Sequence, residues 1–278
     1  MTIGSGLSGQ HRVAALPMYD LPELRAANDA LWCPLADRLA ASGIGDVPAA
    51  LTRDRPLNQL WRDRRLLLAQ SCGYPLVTSL RGLVQVVATP RYRAPGCDGA
   101  FYRSAIVVAA GNPVNTLADL RNGCCAVNEL SSNSGMNLLR AAVAPLATSG
   151  RFFRCLLWSG SHRSSLALVA DGDADVAAID CVTFELLRRT NPALVARVRI
   201  LDWTDTSPGL PLLTAAATDE RTLAGLRAAL DEIARDPAVA PARDALLIDG
   251  FEILDPLTYD RVLNLKQRAG ALGYPKLA

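Results

Sequence analysis

The sequence is poor in the residues that build metal centres and nucleic-acid-binding surfaces. Only two of its 278 residues are histidines, and its seven cysteines include no C-x-x-C pair. These counts exclude a multi-histidine centre and a zinc site of the usual spacing. The 29 basic residues barely outnumber the 27 acidic ones, and only Lys266 and Lys276 are lysines, so no large basic face is available. We therefore expect no metal, no cofactor and no nucleic-acid partner.

Long apolar runs and the features of a signal peptide are also missing. No segment approaches the roughly 18 uninterrupted apolar residues that a membrane span requires, and the first twenty residues lack a basic start followed by an apolar core. An odd number of mostly apolar-flanked cysteines fits unpaired thiols in a reducing compartment. The sequence therefore predicts a soluble, cytoplasmic protein without membrane insertion, and it leaves the oligomeric state open.

Common nucleotide-binding and hydrolase motifs are absent as well. The chain has no G-x-x-x-x-G-K-[ST] and no G-x-S-x-G segment. Residues 4–9 formally match G-x-G-x-x-G, but no predicted strand precedes them and no helix follows directly. This segment is interpreted as a flexible tail.

What the chain does contain is an alternation of strands and helices, which predicts an α/β fold with mixed, mainly parallel sheets flanked by helices. About ten strand candidates are natural for two sheets, and the last 60 residues form helices without strands of their own. We therefore expect two lobes. Lobe one comprises residues 1–102 and 215–278, lobe two comprises residues 103–214, and the ligand cleft lies between them.

The most informative segment is N-E-L-S-S-N-S-G-M at residues 128–136, which follows a buried strand and opens a helix. Ser132, Asn133 and Ser134 supply hydroxyl and amide donors, and Gly135 allows a close backbone approach to a ligand. Free backbone N–H groups and the positive end of a helix favour an anion. The alternative is an ordinary helix N-cap, for which one Ser or Asn would suffice.

Two further loops lie at the same predicted sheet edge. His162, within G-S-H-R-S-S, can donate to an oxyanion, although Ser161 as a cap beside a surface histidine explains the same residues. Asp180 ends the strand D-V-A-A-I-D and can contact a polar or cationic ligand group, although it can also cap the following helix. Ligands of open α/β sheets bind at this edge, so the three loops together predict an anion-accepting cleft.

The order of several motifs resembles the phosphate/phosphonate-binding family of ABC-transporter solute-binding proteins. The resemblance covers roughly residues 12–250. The matching segments are Leu16-Pro17-Met18-Tyr19-Asp20, Cys72-Gly73-Tyr74-Pro75-Leu76, Tyr102-Arg103-Ser104, Ser132-Asn133-Ser134-Gly135, Gly160-Ser161-His162, Ala177-Ala178-Ile179-Asp180 and Pro208-Gly209-Leu210-Pro211.

The resemblance implies a two-lobed, Venus-flytrap fold of the type II periplasmic-binding-protein class. It also implies roles for individual residues, although each tyrosine could instead be a half-buried core ring. Ser132, Asn133 and Ser134 would hold the phosphonate or phosphate oxygens, with His162 as a further donor. Tyr19 and Tyr74 would face the ligand from the other lobe, and Tyr102 and Ser104 would lie at the hinge. Asp180 would receive an amino group of the ligand.

The resulting prediction is a non-enzymatic protein that closes around a small oxyanion. An ABC-transporter permease would be its partner only if the chain is exported. Asn133 stands where the family would have threonine. One alternative is an enzyme on the same scaffold, with His162 and Asp180 as an acid/base pair or Cys72, Cys124 or Cys181 as a nucleophile. Another is a sensor that presents its closed state to a protein partner.

Overall fold

The structure, a computed structural model, describes residues 12–278. The glycine-rich segment at residues 4–9 lies outside the described residues. The strands are β1 (Val13–Ala15), β2 (Leu66–Gln70), β3 (Val84–Tyr92), β4 (Phe101–Tyr102), β5 (Ser104–Ala109), β6 (Cys124–Val127), β7 (Cys155–Trp158), β8 (Val176–Asp180), β9 (Val198–Trp203), β10 (Ser207–Pro208), β11 (Leu212–Ala215) and β12 (Ile248–Glu252).

Helices cover the faces of these strands, and several short 3-10 turns connect them. Across residues 12–278, no helix combines the length and the apolar character that crossing a bilayer requires. The α-helices are α1 (Arg25–Ala41), α2 (Leu57–Leu60), α3 (Gly73–Val77), α4 (Leu138–Val143), α5 (His162–Asp171), α6 (Cys181–Thr190), α7 (Pro192–Val195), α8 (Glu220–Arg235), α9 (Ala240–Ala245) and α10 (Asp260–Ala271).

The strands form two five-stranded sheets, as the α/β prediction requires. The first has the order β1-β2-β11-β3-β12 and the second the order β7-β6-β8-β5-β9. Most strands of each sheet run in the same direction. Strand β11 runs antiparallel to its neighbours in the first sheet, and β5 does so in the second. The five residues of β2 are all buried because helices cover both faces of its sheet.

The two lobes are joined where the chain crosses between the sheets. The crossing strands β4 and β10 pair antiparallel, with Tyr102 opposite Ser207. Strand β5 follows the first crossing and β11 follows the second, which explains why these two strands run against their neighbours. The two crossings therefore form one double-stranded hinge.

The return crossing lies earlier than the sequence suggested. The predicted boundary assigned residues up to 214 to lobe two, but β11 pairs with β2 and β3 of the first sheet. The end of the chain also differs from the prediction. Ala269, Tyr274 and Leu277 belong to a hydrophobic cluster of the second sheet, together with Phe152. The C-terminal segment therefore packs against lobe two, although the sequence assigned it to lobe one.

The cysteines are not all free thiols, which corrects one basis of the redox prediction. Cys124 and Cys155 form a disulfide. They stand opposite each other in the parallel pair of β6 and β7, so strand register brings their side chains together. Their separation of 31 residues gives no such indication in the sequence. The remaining five cysteines are free.

Candidate functional site

A cleft of about 390 Å³ lies between the carboxyl ends of strands from both sheets. Residues that follow β1 and β2 line it on the first lobe, and residues that follow β6, β7 and β8 line it on the second. Of the predicted site residues, this cleft brings together Tyr19, Ser132, Ser134, His162 and Asp180.

The serine-rich loop after β6 enters a helical turn of unusually wide pitch. The amide of Asn137 donates to the carbonyl of Ser132 at 3.1 Å, which closes a π-helical turn over Asn133–Asn137. The Ser132 hydroxyl caps this turn by accepting from the Gly135 amide at 2.9 Å. The predicted capping role of this loop is therefore present, and Ser134 is left beside Ser132, with their hydroxyl oxygens 3.5 Å apart.

Gly135 is required by the close approach of a neighbouring side chain. An added Cβ at this position would lie 1.9 Å from Asn128 Oδ1 and 3.2 Å from His162 Cε1. The backbone of the turn therefore presses directly against Asn128 and His162. The absence of a side chain at residue 135 lets this loop pack against the loop that contains His162. This packing explains the glycine without a ligand.

His162 is held in the cleft by Ser161 and Ser134. The Ser161 hydroxyl caps α5 by accepting from the amide of Ser164, and His162 is the first residue of this helix. Its Nε2 lies 2.8 Å from the hydroxyl oxygen of Ser134. Burial lowers the pKa of His162 to about 4, partly offset by the carbonyl of Ala178, so the ring is neutral near pH 7. If the ring proton is on Nε2, the Ser134 hydroxyl is free to donate to a ligand.

Two buried polar atoms beside this pair have no hydrogen-bond partner within the described part of the chain. They are Asn128 Oδ1 and His162 Nδ1. Both residues line the cleft. Buried polar atoms are seldom left unpaired, because each carries a desolvation cost. Both atoms are almost inaccessible to solvent, and Asn128 Oδ1 is an acceptor, so neither is placed to donate to an anion in the cleft.

Asp180 connects the two lobes. One of its carboxylate oxygens accepts from the amides of Val182 and Thr183 at 2.8 and 3.0 Å, so it caps α6. Both oxygens also accept from the Tyr19 hydroxyl, at 3.1 and 3.2 Å. Burial raises the pKa of Asp180 to about 6, although the Thr183 amide and the Tyr19 hydroxyl oppose that shift. The structure therefore shows this carboxylate as a helix cap that already has a partner from lobe one.

The other predicted site residues lie behind the cleft wall. Asn133 donates to the hydroxyls of Tyr102 at 3.2 Å and Ser207 at 2.8 Å, which ties the serine-rich loop to the hinge strands. Ser104 donates to the carbonyl of Ser134 at 3.0 Å. These side chains orient the loop from behind.

Tyr74 is the fourth such residue. Its ring packs on two of the hydrophobic clusters, with the ammonium group of Lys266 at 5.9 Å from the ring centroid. It does not line the cleft. The side-chain orientation of a residue near a strand end cannot be read from its position in the sequence.

The sequence missed the apolar wall that lobe one contributes. Met18, Leu21, Leu57 and Trp61 line the cleft on this side. They come from separate segments, and each also packs against a hydrophobic cluster. Apolar residues of this kind resemble ordinary core in a sequence, so no local signal distinguishes them. Cys72 also lines the cleft, where its sulfur accepts from the amide of Asn133 at 3.3 Å.

The cleft carries little positive charge. Arg163 is the single basic residue that lines it in the described chain, and its guanidinium pairs with Glu23 of lobe one at 2.8 Å. Asp20, Glu129 and Asp180 supply acidic groups. An anion would therefore be held by hydroxyls and amides rather than by a cluster of cations.

The geometry does not assemble an activated nucleophile. Ser134 and His162 are within hydrogen-bond distance, but among residues 12–278 no acid orients Nδ1, and the lowered pKa makes the imidazole a weak base. Burial raises the pKa of Cys72, and Cys124 is in a disulfide. The described residues also hold no metal-binding group of three or more His, Cys, Asp or Glu side chains.

Two α/β lobes, a double-stranded hinge and a polar cleft between them define a binding protein of the periplasmic-binding-protein class. The chain belongs to the family described as ABC transporter, phosphonate, periplasmic substrate-binding protein, whose model matches residues 29–259. Members of this family are transporter binding components and not enzymes. Among curated proteins, no sequence matches the chain.

Solved structures share this fold. XAC2383 from Xanthomonas citri, solved with chloride and with ATP, is 21% identical, with a TM-score of 0.70 over 94% of this chain and 98% of that one. A binding component of an ABC phosphonate transporter from Pseudomonas aeruginosa is 16% identical, with a TM-score of 0.74 over 94% and 88%. PhnD1 from Prochlorococcus marinus, solved with methylphosphonate, is 15% identical, with a TM-score of 0.74 over 94% and 98%.

Proposed function

We propose that the chain binds a small organic oxyanion, with a phosphonate or phosphate group as the preferred anion, and delivers it to an ABC-transporter permease. The observation that carries this proposal is the convergence of the Ser132 and Ser134 hydroxyls at one end of the cleft, where His162 Nε2 lies 2.8 Å from the Ser134 hydroxyl oxygen. Hydroxyl donors suit the oxygens of a tetrahedral anion. The family supports a small anion as ligand and a permease as partner.

The opposite wall favours an organic anion over an inorganic one. Met18, Leu21, Leu57 and Trp61 face the cavity from lobe one, and burial of apolar ligand surface against them is favourable. An anion whose oxygens lie on the serine-rich loop would direct its substituent toward this wall. Asp180 could in addition accept from an amino group on that substituent, in exchange for its contact with Tyr19.

A thermal-shift panel tests this function. Inorganic phosphate, methylphosphonate, larger alkyl- and aminoalkylphosphonates, sulfonates and carboxylates are each added to the purified chain, since occupancy of the cleft raises the unfolding midpoint. We expect the largest shifts with phosphonates that carry an organic substituent. The Ser134→Ala variant should lose these shifts, whereas Ser79→Ala, a change at an exposed serine that does not line the cleft, should keep them. Absence of a shift with any anion at millimolar concentration would contradict the proposal.

A further inference from the structure

Two free cysteines from different lobes meet beside the hinge. Cys97 lies in the loop that connects β3 to the crossing strand β4, and Cys181 is the first residue of α6 in lobe two. Their sulfur atoms are 3.5 Å apart, although 84 positions separate them in the sequence. Neither residue lines the cleft, so the anion-binding role does not account for this pair.

The packing around the pair fixes their approach. Gly96 has a φ of +98°, and an added Cβ there would lie 3.0 Å from the Cβ of Cys181 and 2.7 Å from the ring of Trp203. On the other side, the amide of Cys181 donates to the carbonyl of Arg103 at 3.2 Å. The backbone of the loop therefore lies directly against the start of α6. To bond, the two sulfurs need only move from contact distance to the length of an S–S bond.

We propose that Cys97 and Cys181 form a reversible disulfide that joins the two lobes beside the hinge. The chain already carries one disulfide, Cys124–Cys155, which lies within lobe two. The additional bond would be the one that connects the lobes. It would hold them in the arrangement seen here, in which the Tyr19 hydroxyl of lobe one contacts Asp180 of lobe two.

The chemistry is thiol–disulfide exchange with a small-molecule disulfide such as oxidised glutathione. Cys97 is half-buried and is the sulfur that solvent reaches first, whereas Cys181 is only 1% exposed. The Cys97 thiolate attacks the reagent and releases one glutathione thiolate. Cys181 then loses its proton, attacks the mixed disulfide and releases the second. Two cysteine thiols are oxidised by two electrons, and the reagent is reduced to two thiols.

The second step sets the pace of the exchange. The hydrogen bond with Cys97 and burial raise the pKa of the Cys181 thiol, so little thiolate is present while the lobes are closed. Oxidation should therefore be slow.

The test is oxidation of the full chain with oxidised glutathione, followed by peptide mapping and mass measurement. We expect the peptides that contain Cys97 and Cys181 to become linked, with the loss of both of these thiols. Neither Cys97→Ser nor Cys181→Ser should form the link. Cys97→Ser is the decisive variant, because a half-buried position tolerates the substitution better than the fully buried Cys181. Cys33→Ser removes an exposed cysteine elsewhere and should form it as the native chain does.

A second readout needs no ligand. Because the new bond closes a long loop, the oxidised native chain should unfold roughly 5–10 °C higher than the oxidised Cys97→Ser variant. The proposal is overturned if Cys97 and Cys181 remain thiols, or if Cys97 stops at the glutathione adduct, while the exposed Cys33 reacts. Since neither readout involves an anion, this result stands apart from success or failure of the anion-binding proposal.

Discussion

The two walls of the cleft differ in chemistry and in how far the sequence reveals them. Lobe two presents polar groups on Ser132, Ser134 and His162, and lobe one presents an apolar surface that includes Leu57 and Trp61. The polar wall comes from short motifs that directly follow strands. The apolar wall comes from scattered residues that also serve the core. The comparison suggests that one lobe binds the anionic group and the other selects the substituent.

The largest expected effect on stability comes from Asp180, whose carboxylate joins the two walls through Tyr19. Asp180 has a pKa raised to about 6 in the folded state, against 3.8 for an ordinary aspartate, so folding favours its protonated form. Its stability contribution is present below about pH 4 and is lost as the pH rises through about 6. We therefore expect Asp180→Asn, which can still cap α6, to raise the free energy of unfolding at pH 7 by up to about 3 kcal/mol.

Denaturant unfolding at several pH values measures this effect. Between about pH 4 and pH 6 the difference between native chain and variant should grow, and below that range the two should be equally stable. Asp205→Asn, a change at an exposed carboxylate, serves as the control without such a pattern. If Asp180→Asn is less stable than the native chain at pH 7, the carboxylate stabilises the junction of the lobes and the expectation is wrong.

The polar wall alone is disturbed by Gly135→Ala. The added Cβ would lie 1.9 Å from Asn128 Oδ1, so the turn or the side chain must move. We expect a loss of about 1–3 kcal/mol in the free energy of unfolding and at least a tenfold loss of anion affinity. Gly45→Ala, where an added Cβ contacts nothing within 4 Å, is the matched control. Unchanged anion affinity in Gly135→Ala would show that the serine-rich loop is not the anion site.

The apolar wall alone is disturbed by Leu57→Ala. This half-buried side chain lines the cleft, so its truncation should weaken binding of phosphonates with bulky apolar substituents roughly three- to tenfold. Methylphosphonate binding should change little, because its methyl group is too short to cover this wall. Leu272→Ala, at an exposed position near the C-terminus, should affect neither ligand. Equal losses for both ligands, measured by calorimetry, would remove the assigned selectivity of lobe one.

The smallest effect is expected at the mouth of the cleft. Arg163 and Glu23 form an ion pair between the lobes, but both side chains are more than one-third exposed. Arg163→Met should therefore reduce anion affinity less than about fivefold, and the difference should shrink as salt is added. A much larger loss that salt does not reduce would mean that the guanidinium contacts the anion directly.

Much of the fold follows from local patterns in the sequence. The helices predicted for the last 60 residues include α8, which Asp219 caps and whose apolar residues recur at helical spacing. The same prediction is wrong at β12, which adds an edge strand to the first sheet. The return crossing was placed too late because the buried strand β11 carries no sign of which sheet it joins. The disulfide Cys124–Cys155 depends on strand register in the same way.

The candidate site shows the same limit. The motif Ser132–Gly135 located the polar loop, but Asn133 and Gly135 support it from behind, and no local pattern separates those two from Ser132 and Ser134. The predicted cytoplasmic location stays a prediction, and one of its supports is removed because two cysteines are paired.

The most direct test of the account is calorimetric titration of three proteins with methylphosphonate: the native chain, Ser134→Ala and Ser79→Ala. If the oxyanion lies on the serine-rich loop, the native chain and Ser79→Ala should bind with equal affinity, and Ser134→Ala should bind at least tenfold more weakly, since a charged hydrogen bond is lost. Equal affinity of all three proteins, or no binding by the native chain, would contradict the assignment of this cleft as an oxyanion site.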